Sequence, residues 1–558
     1  MTMDILIIQV LRMGDALQLF PVIGGIKEVF PDAHIHLLTS RLGAEVFRAN
    51  SEVEKTFILD KEKIVSLVLC GEKEAFVQAL DILEADLSPL INRRWDWVIN
   101  LGFTFSSALL SFLLDSKHRS GLSVNEHRQY LSKDKWFHFS LASFMNRRYS
   151  NFNWIDIYKR IAGLDSVPRP PYFKPNMAPC ARAADTILRF EGSGPIVGIH
   201  PGAGGDFKQW PVENFGKLGR MLADKNGCRL LIFGSSSEKE LCSRLHAMIG
   251  GNAENLAGQT SVEELAALLS RCEVLISNDT GPMHLASSVG TRVIALFFST
   301  HFAETGPYGA GHIAVHPDIS CFPCQGTAKC VQKSCLSLIS PEAVKKIFDI
   351  ANPSIRQGGP LHGINGLKGI KVFQSAFDPW GYLDWFPGGR PLLTLPVLEK
   401  LLLRIAWLIH SGVTDSSDRN LEAYVSSFLA CYSKTDRLSP VVEGFDRWVE
   451  RMAEYKGLLE KARNQVLDLQ TELIKIRPDS GASKKLSGLL NASEDEIGAF
   501  GSGDCFSFLD ELLTVFCENI EKTDPLNLST RTAEAYRDIL FIVTTILKQV
   551  PLLKSYMH

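Results

Sequence analysis

No uninterrupted apolar run in this chain of 558 residues reaches the roughly 18 residues that a bilayer-spanning helix needs. The most hydrophobic late stretch, Pro391 to His410, is broken by Glu399, Lys400 and Arg404. A secretory leader is not expected either. No basic residue precedes the first apolar run, Ile5 to Val10, Arg12 and Asp15 follow it within one helical turn, and no small-residue cleavage pattern comes after. A cytoplasmic protein is the expectation, with room for peripheral association at the inner face of the membrane. Excess charge is missing too: 59 Lys and Arg against 62 Asp and Glu leave a net charge of −3, so no global basic field exists to hold nucleic acid. Low-complexity tracts are absent. Of twelve cysteines, eight are scattered singly, which reads as reduced and mostly buried thiols rather than a disulfide framework.

What is present is α/β alternation. The length calls for several domains. Strand-like runs at Asp4–Val10, His34–Thr39, Lys55–Leu59 and Trp95–Asn100 are separated by helix-like stretches, the pattern of a parallel sheet covered by helices. The first strand is followed by a turn at Arg12-Met13-Gly14 and an apolar helix from Asp15 towards Phe30. A proline-rich segment, Val167 to Pro171, reads as a linker, after which the pattern restarts. Ile196–His200, Arg229–Gly234, Val274–Asn278 and Val293–Phe298 are strands, and Ser261 with Glu264 forms a capping box. Two Rossmann-like domains are expected, at 1–175 and 176–350. A glycine-rich linker at 351–375 (Gly358, Gly359, Gly363, Gly366, Gly369) then leads to a mostly helical domain at 376–558 with no visible catalytic motif. Within it, apolar residues from Phe445 to Ile476 recur in steps of three and four, a narrow seam on one long helix. That seam serves either an intramolecular bundle or a coiled coil between copies, which would make the tail a homo-oligomerisation element.

Three loops carry candidate chemistry. Asp279-Thr280-Gly281-Pro282-Met283-His284 joins an apolar strand to a helix, at the carboxyl edge of a parallel sheet where ligands bind. Unpaired N–H groups at the helix start, the Thr280 hydroxyl and the close approach allowed by Gly281 suit a phosphate; Asp279 reads equally as a helix cap and His284 as a packed residue. The second loop, His200-Pro201-Gly202-Ala203-Gly204-Gly205-Asp206-Phe207-Lys208, is rich in N–H groups, and Lys208 offers a point charge for a diphosphate. It is not a Walker loop, since no Gly-Lys-Ser/Thr follows. In the third, Arg12-Met13-Gly14-Asp15, the Asp15 carboxylate faces a cleft if the two sheets face each other; the alternative is again a helix cap.

Taken in order along about residues 3–348, these segments resemble the bacterial heptosyltransferases, glycosyltransferase family 9, which move heptose from an ADP-sugar to lipopolysaccharide core and related acceptors. The resemblance is carried by Ile5–Val10, Gly14-Asp15, Phe30-Pro31-Asp32-Ala33, Lys208-Gln209-Trp210-Pro211, Asp279 to Ala286 and Gly306-Pro307-Tyr308-Gly309. It implies a GT-B fold, two Rossmann-like domains facing a cleft, and an inverting reaction without a catalytic cofactor. By position, Asp15 would be the general base and Lys208 would hold the diphosphate. Gly14, Gly204, Gly205, Asp279, Thr280, Gly281, Pro282, Met283 and His284 would form the donor site, with Glu238 near the ribose. Ala203-Gly204-Gly205 departs from the family, many of whose members place threonine or serine hydroxyls there. An ADP-heptose donor and a glycan or protein acceptor are the implied partners. A basic groove for a phosphate-rich acceptor would draw on Arg93, Arg94, Lys117, His118, Arg119, Arg147 and Arg148, which read equally as scattered surface charge.

Cys321, Cys324, Cys330 and Cys335 stand outside this scheme. Four thiols in fifteen residues can close a tetrahedral zinc or iron site, though not with the spacing of a standard finger. Some relatives of the family carry a similar cluster. The expectation is a structural metal, with reduced thiols or redox chemistry as alternatives. Two other readings of the whole chain are an epimerase or hydrolase of nucleotide sugars on the same fold, and a non-catalytic scaffold whose helical tail is the working part.

Overall fold

The computed structural model describes residues 3–10, 12–48, 50–132, 134–164, 173, 194–324, 330, 333–357, 361, 364, 367–389, 391–432, 439–475, 488, 497, 505–518 and 525–557. The proline-rich segment 167–171, the glycines at 358, 359, 363 and 366, and Ile476 lie outside the described residues. The chain divides into two compact units. One comprises residues 1–121 and 152–389; the other comprises 122–151 and 390–558.

The first unit holds two sheets. Strands β1 (Asp4–Gln9), β2 (His34–Thr39), β3 (Val53–Ile58), β4 (Trp95–Asn100) and β5 (Ser116–Gly121) form a parallel sheet in the order 3-2-1-4-5. Ile5, Leu6, Ile7 and Ile8 are fully buried, as expected of a central strand covered on both faces. The expected helix from Asp15 to Phe30 is two helices, Met13–Leu17 and Phe20–Val29. Pro21 explains the break, because a proline is tolerated in the first turn of a helix but not in its interior.

After a small hairpin in the other unit, β6 (Ser123–Val124) with β7 (Tyr130–Leu131), the second sheet follows. It comprises β8 (Ile196–His200), β9 (Arg229–Ile232), β10 (Ala253–Asn255), β11 (Val274–Asn278), β12 (Arg292–Leu296), β13 (Ile313–Pro317), β14 (Ile370–Phe377) and β15 (Leu383–Pro387). Their order is 10-9-8-11-12-13-14-15, parallel as far as β13 and antiparallel beyond it. The expected capping box forms: Ser261 N donates to Glu264 Oε2 at 2.9 Å, and Glu264 N to Ser261 Oγ at 3.2 Å.

In both sheets strand order reverses beside the first strand, so loops leaving adjacent strands diverge there and open a crevice. The loops after β1, β8 and β11 are the three singled out from sequence.

The linker expected at 351–375 and the helical domain expected from 376 differ from these units. Helix Pro341–Gln357 enters that linker, and β14 and β15 extend the second sheet to residue 387. Ile370 and Val372, then Leu383 and Trp385, alternate into the core on either side of a turn at Asp378–Gly381. The second unit also takes residues 122–151 from the N-terminal third. Helix Lys135–Met145 buries Trp136 and Phe139 against Trp407 of helix Leu395–His410, with ring centroids 6.0 and 4.7 Å apart. The heptad-like seam of helix Ser439–Lys475 packs on helix Pro525–Met557. Its residues Phe445, Trp448, Met452, Tyr455, Leu459, Ala462, Val466 and Leu469 are buried within this unit. Among the described residues no helix is long and apolar enough to cross a membrane.

One polar cluster fastens the first unit internally. Helix Trp154–Ile161 buries Asp156 and Lys159, 3.2 Å apart. Tyr308 OH donates to Asp156 Oδ1 at 2.6 Å and accepts from Lys159 Nζ at 2.8 Å, and Leu383 N donates to Asp156 Oδ2 at 2.9 Å. Removing one charge of a buried pair costs more than removing a hydroxyl that hydrogen-bonds to it. Tyr308→Phe should therefore lower stability by about 1.5–3 kcal/mol. Asp156→Ala, which takes from Lys159 its nearest carboxylate, should cost about 3–5 kcal/mol. Urea unfolding followed by tryptophan fluorescence should order the variants this way; equal losses would mean the ion pair is not the dominant contact.

Candidate active site

The cleft is built around two glycines. Helix Met13–Leu17 lies against helix Gly281–Ser288 so closely that a Cβ on Gly14 would sit 3.0 Å from His284 Cδ2, and one on Gly281 2.6 Å from Met13 Cε. This contact sets Asp15, on the first-sheet side, opposite the start of the second helix. Arg12 N donates to Asp15 Oδ2 at 3.0 Å, holding the carboxylate in place. Burial raises the Asp15 carboxyl above its ordinary value; the Arg12 amide and guanidinium oppose this, and the charge of Asp279 adds to it. Below it, Gln9 Nε2 donates to Leu101 O at 2.9 Å and to Tyr158 OH at 3.2 Å. The Tyr158 phenol is pushed well up, by burial first and then by the charge of Asp15.

On the second-sheet side, Lys208 Nζ lies 3.3 Å from Asp279 Oδ2, and Thr300 Oγ1 donates to that same oxygen. Thr280 Oγ1 is 3.3 Å from His200 Nδ1, while His200 Nε2 is 3.7 Å from Glu238 Oε2. Burial works to raise the Glu238 carboxyl, but the His200 and Ser235 contacts outweigh it and bring it down to about 2. Glu238 also fills the space above Gly202, where a Cβ would strike Oε1 at 1.6 Å. Buried Asn278 ties the glycine-rich loop to β11. Its Nδ2 donates to the carbonyls of Pro201 and Gly202 at 2.9 and 3.0 Å, and its Oδ1 accepts from Trp210 N at 3.1 Å. His284 is buried and driven towards the neutral form by burial, against the pull of Asp279. Pro282 stands in the first turn of its helix and Met283 is fully buried.

Asp15, Gly14, Asp279, Thr280, Gly281, His284, Lys208 and Glu238 thus line one region, with Gly204 reached from Arg12 across it. Sequence reasoning missed Asn278, Thr300, Gln9 and Tyr158. A polar residue closing an otherwise apolar strand was the available signal for Asn278; Thr300 and Tyr158 had none, because only folding brings them there.

The cysteines behave differently from expectation. Burial raises the Cys335 thiol, and the negative charge of Cys321, Cys324 and Cys330 nearby raises it further. Yet among the described residues no three His, Cys, Asp or Glu side chains form a group able to hold a metal ion. The spacers 325–329 and 331–332 lie outside the described residues. The expected structural zinc or iron site is therefore not supported by the described geometry, since proximity without convergence of thiolate donors is not coordination. Of the seven expected acceptor-groove cations, Arg93, Lys117 and Arg119 are engaged within the first unit. Arg93 pairs with Asp4 at 2.7 Å, Lys117 with Asp96 at 2.6 Å, and Arg119 Nε donates to Ser111 O at 2.8 Å.

Two Rossmann-like sheets with facing switch-point loops define the GT-B class. A solved glycosyltransferase family 9 protein from Veillonella parvula has this fold: it superposes with a TM-score of 0.51 at 20% identity, covering 63% of this chain and 98% of that one. Residues 88–334 match the family model "Glycosyltransferase family 9 (heptosyltransferase)". Among curated relatives, lipooligosaccharide heptosyltransferase 2 of Campylobacter jejuni is 25% identical over 351 residues, 61% of this chain and 97% of that protein. Lipopolysaccharide heptosyltransferase 2 of Escherichia coli is 27% identical over 222 residues, 37% and 61% respectively.

The raised Asp15 carboxyl has a consequence for stability. The folded chain holds this proton to higher pH than the unfolded chain does, so stability falls as pH rises from the ordinary carboxylate range through the raised value. Asp15→Asn escapes that loss. Its midpoint of thermal unfolding should exceed the wild type's at neutral pH, and the gain should shrink as pH falls. A gain independent of pH would place its origin elsewhere.

Proposed function

We propose that this chain is a heptosyltransferase that uses ADP-heptose and glycosylates a hydroxyl of a lipopolysaccharide-type core glycan, with inversion at the anomeric carbon, on the cytoplasmic side of the membrane. The observation that carries this reading is the placement of one half-buried carboxylate, Asp15, opposite Lys208 and the start of helix Gly281–Ser288. The named activities of the relatives support heptose as the sugar and a lipooligosaccharide or lipopolysaccharide as the acceptor.

In this reading Asp15 accepts the proton of the acceptor hydroxyl as its oxygen forms a bond to the anomeric carbon. The bond from that carbon to the β-phosphate oxygen breaks, and its electron pair leaves with ADP. Lys208 and the backbone N–H groups of Gly281 and its neighbours meet the negative charge on the departing diphosphate. Asp279, held by Lys208 and Thr300, orients the lysine; Thr280 and His284 border the sugar-phosphate, and Glu238 the ribose. No cofactor takes part in these steps.

Calorimetric titration with ADP, UDP and GDP tests the donor. ADP should bind most tightly, and Lys208→Ala should weaken it by about tenfold or more, the loss of one charge-assisted contact. Asp15→Asn should keep ADP affinity within about twofold while lowering kcat by about 10²–10⁴. Preference for UDP or GDP would keep sugar transfer and discard ADP-heptose. Full turnover in Asp15→Asn would remove the base, and sugar products formed without acceptor would move the reading to a nucleotide-sugar epimerase or hydrolase.

A further inference from the structure

The glycine-rich loop lacks side-chain donors where a diphosphate would rest: Ala203, Gly204 and Gly205 offer only backbone N–H groups. What lies over it comes from the other sheet. A Cβ built on Gly204 would stand 3.2 Å from Arg12 Nη1. Arg12 belongs to the loop after β1, and its own N–H donates to Asp15. The turn after β1 therefore sends a guanidinium to the glycine loop, and the helix it caps sends a carboxylate to the acceptor side.

Three further observations give Arg12 a task. Lys208, the other cation of the site, already lies 3.3 Å from Asp279, so much of its charge is met within the protein. Among the described residues no ion pair engages the Arg12 guanidinium, whose side chain is exposed to the cleft. The missing side chain at position 204 is what lets it approach: any larger residue would press on Nη1 unless the arginine moved.

We propose that Arg12 is a diphosphate-binding residue of the donor site, supplying from the first sheet the contacts that hydroxyls would otherwise supply from the Ala203-Gly204-Gly205 loop. This rests on the donor site described above. A guanidinium presents paired N–H groups suited to two phosphate oxygens, and its charge does not depend on pH in the working range. Because Arg12 caps the helix that carries Asp15 and donates its N–H to that carboxylate, a donor that draws Arg12 onto the glycine loop also fixes the carboxylate that faces the acceptor.

The test is calorimetric binding of ADP and of AMP to the wild-type full chain and to Arg12→Ala, Arg12→Lys and the double variant Arg12→Ala/Gly204→Ser. Arg12 is exposed, so thermal unfolding of Arg12→Ala should match the wild type. Its ADP affinity should fall by about tenfold while AMP affinity changes by less than about twofold, because the contact is to the second phosphate. Arg12→Lys should retain part of the ADP preference, and Gly204→Ser, which returns a hydroxyl to the loop, should restore part of it in the double variant. Equal losses for ADP and AMP, or an unchanged ADP preference in Arg12→Ala, would overturn the role of Arg12 and leave the donor site standing. Failure of the wild type to bind ADP at all would remove the donor site and the role of Arg12 together.

Discussion

The approach of helix Met13–Leu17 to helix Gly281–Ser288 is the contact on which the site depends. Two glycines make it. A Cβ at position 14 would meet His284 Cδ2 at 3.0 Å and ask that ring to give by a few tenths of an ångström, and one at position 281 would displace the Met13 methyl. This close approach sets the Asp15 carboxylate opposite the start of helix Gly281–Ser288. The same contact desolvates Asp15 and brings it within the field of Asp279, which is why its carboxyl holds its proton above the ordinary range. Geometry and electrostatics here have one cause.

Around that contact the polar residues are organised in layers. Asn278 holds the glycine-rich loop through two carbonyls and one amide, so loop position follows from strand position. Lys208, Asp279 and Thr300 share one carboxylate oxygen; His200 links Thr280 to Glu238. Farther out, the buried Asp156–Lys159 pair with Tyr308 and the Leu383 amide ties helix Trp154–Ile161 to two distant segments of the same unit. An ion pair of this kind adds little net stability beyond a hydrophobic substitute. It does demand one alignment of its partners, and alignment is what facing loops need.

The second unit follows a simpler logic. Its long helix carries an apolar seam that a helix alone cannot shield, and helix Pro525–Met557 covers it. Tyr455 OH, buried with that seam, donates to Asp510 Oδ1 at 2.6 Å, so its hydroxyl is satisfied inside the unit. Residues 122–151 complete the core by sending Trp136 and Phe139 to Trp407. Aromatic positions in an insertion do not announce their partners. The seam's period could be read from sequence, but whether it closed within the chain or between chains depended on the neighbours.

By itself the sequence determined four strands in each Rossmann-like half and the three loops that leave their central strands, while β5, β10 and β13 did not stand out from it. Those features are local: period-two and period-3.6 hydrophobicity and a capping pair three residues apart. Asp15, Lys208 and Asp279 could be placed on one edge of the fold because each lies in the segment that follows a strand whose place at a switch point follows from βα order. Tertiary structure decided the rest. Tyr158, Thr300 and Arg12 matter through neighbours tens to hundreds of residues away, and β14 and β15 join the sheet by antiparallel pairing across about fifty residues. The four cysteines mark the boundary most clearly. Their spacing is compatible with a metal site, but coordination requires side chains to converge in three dimensions, and spacing along a chain does not supply that direction.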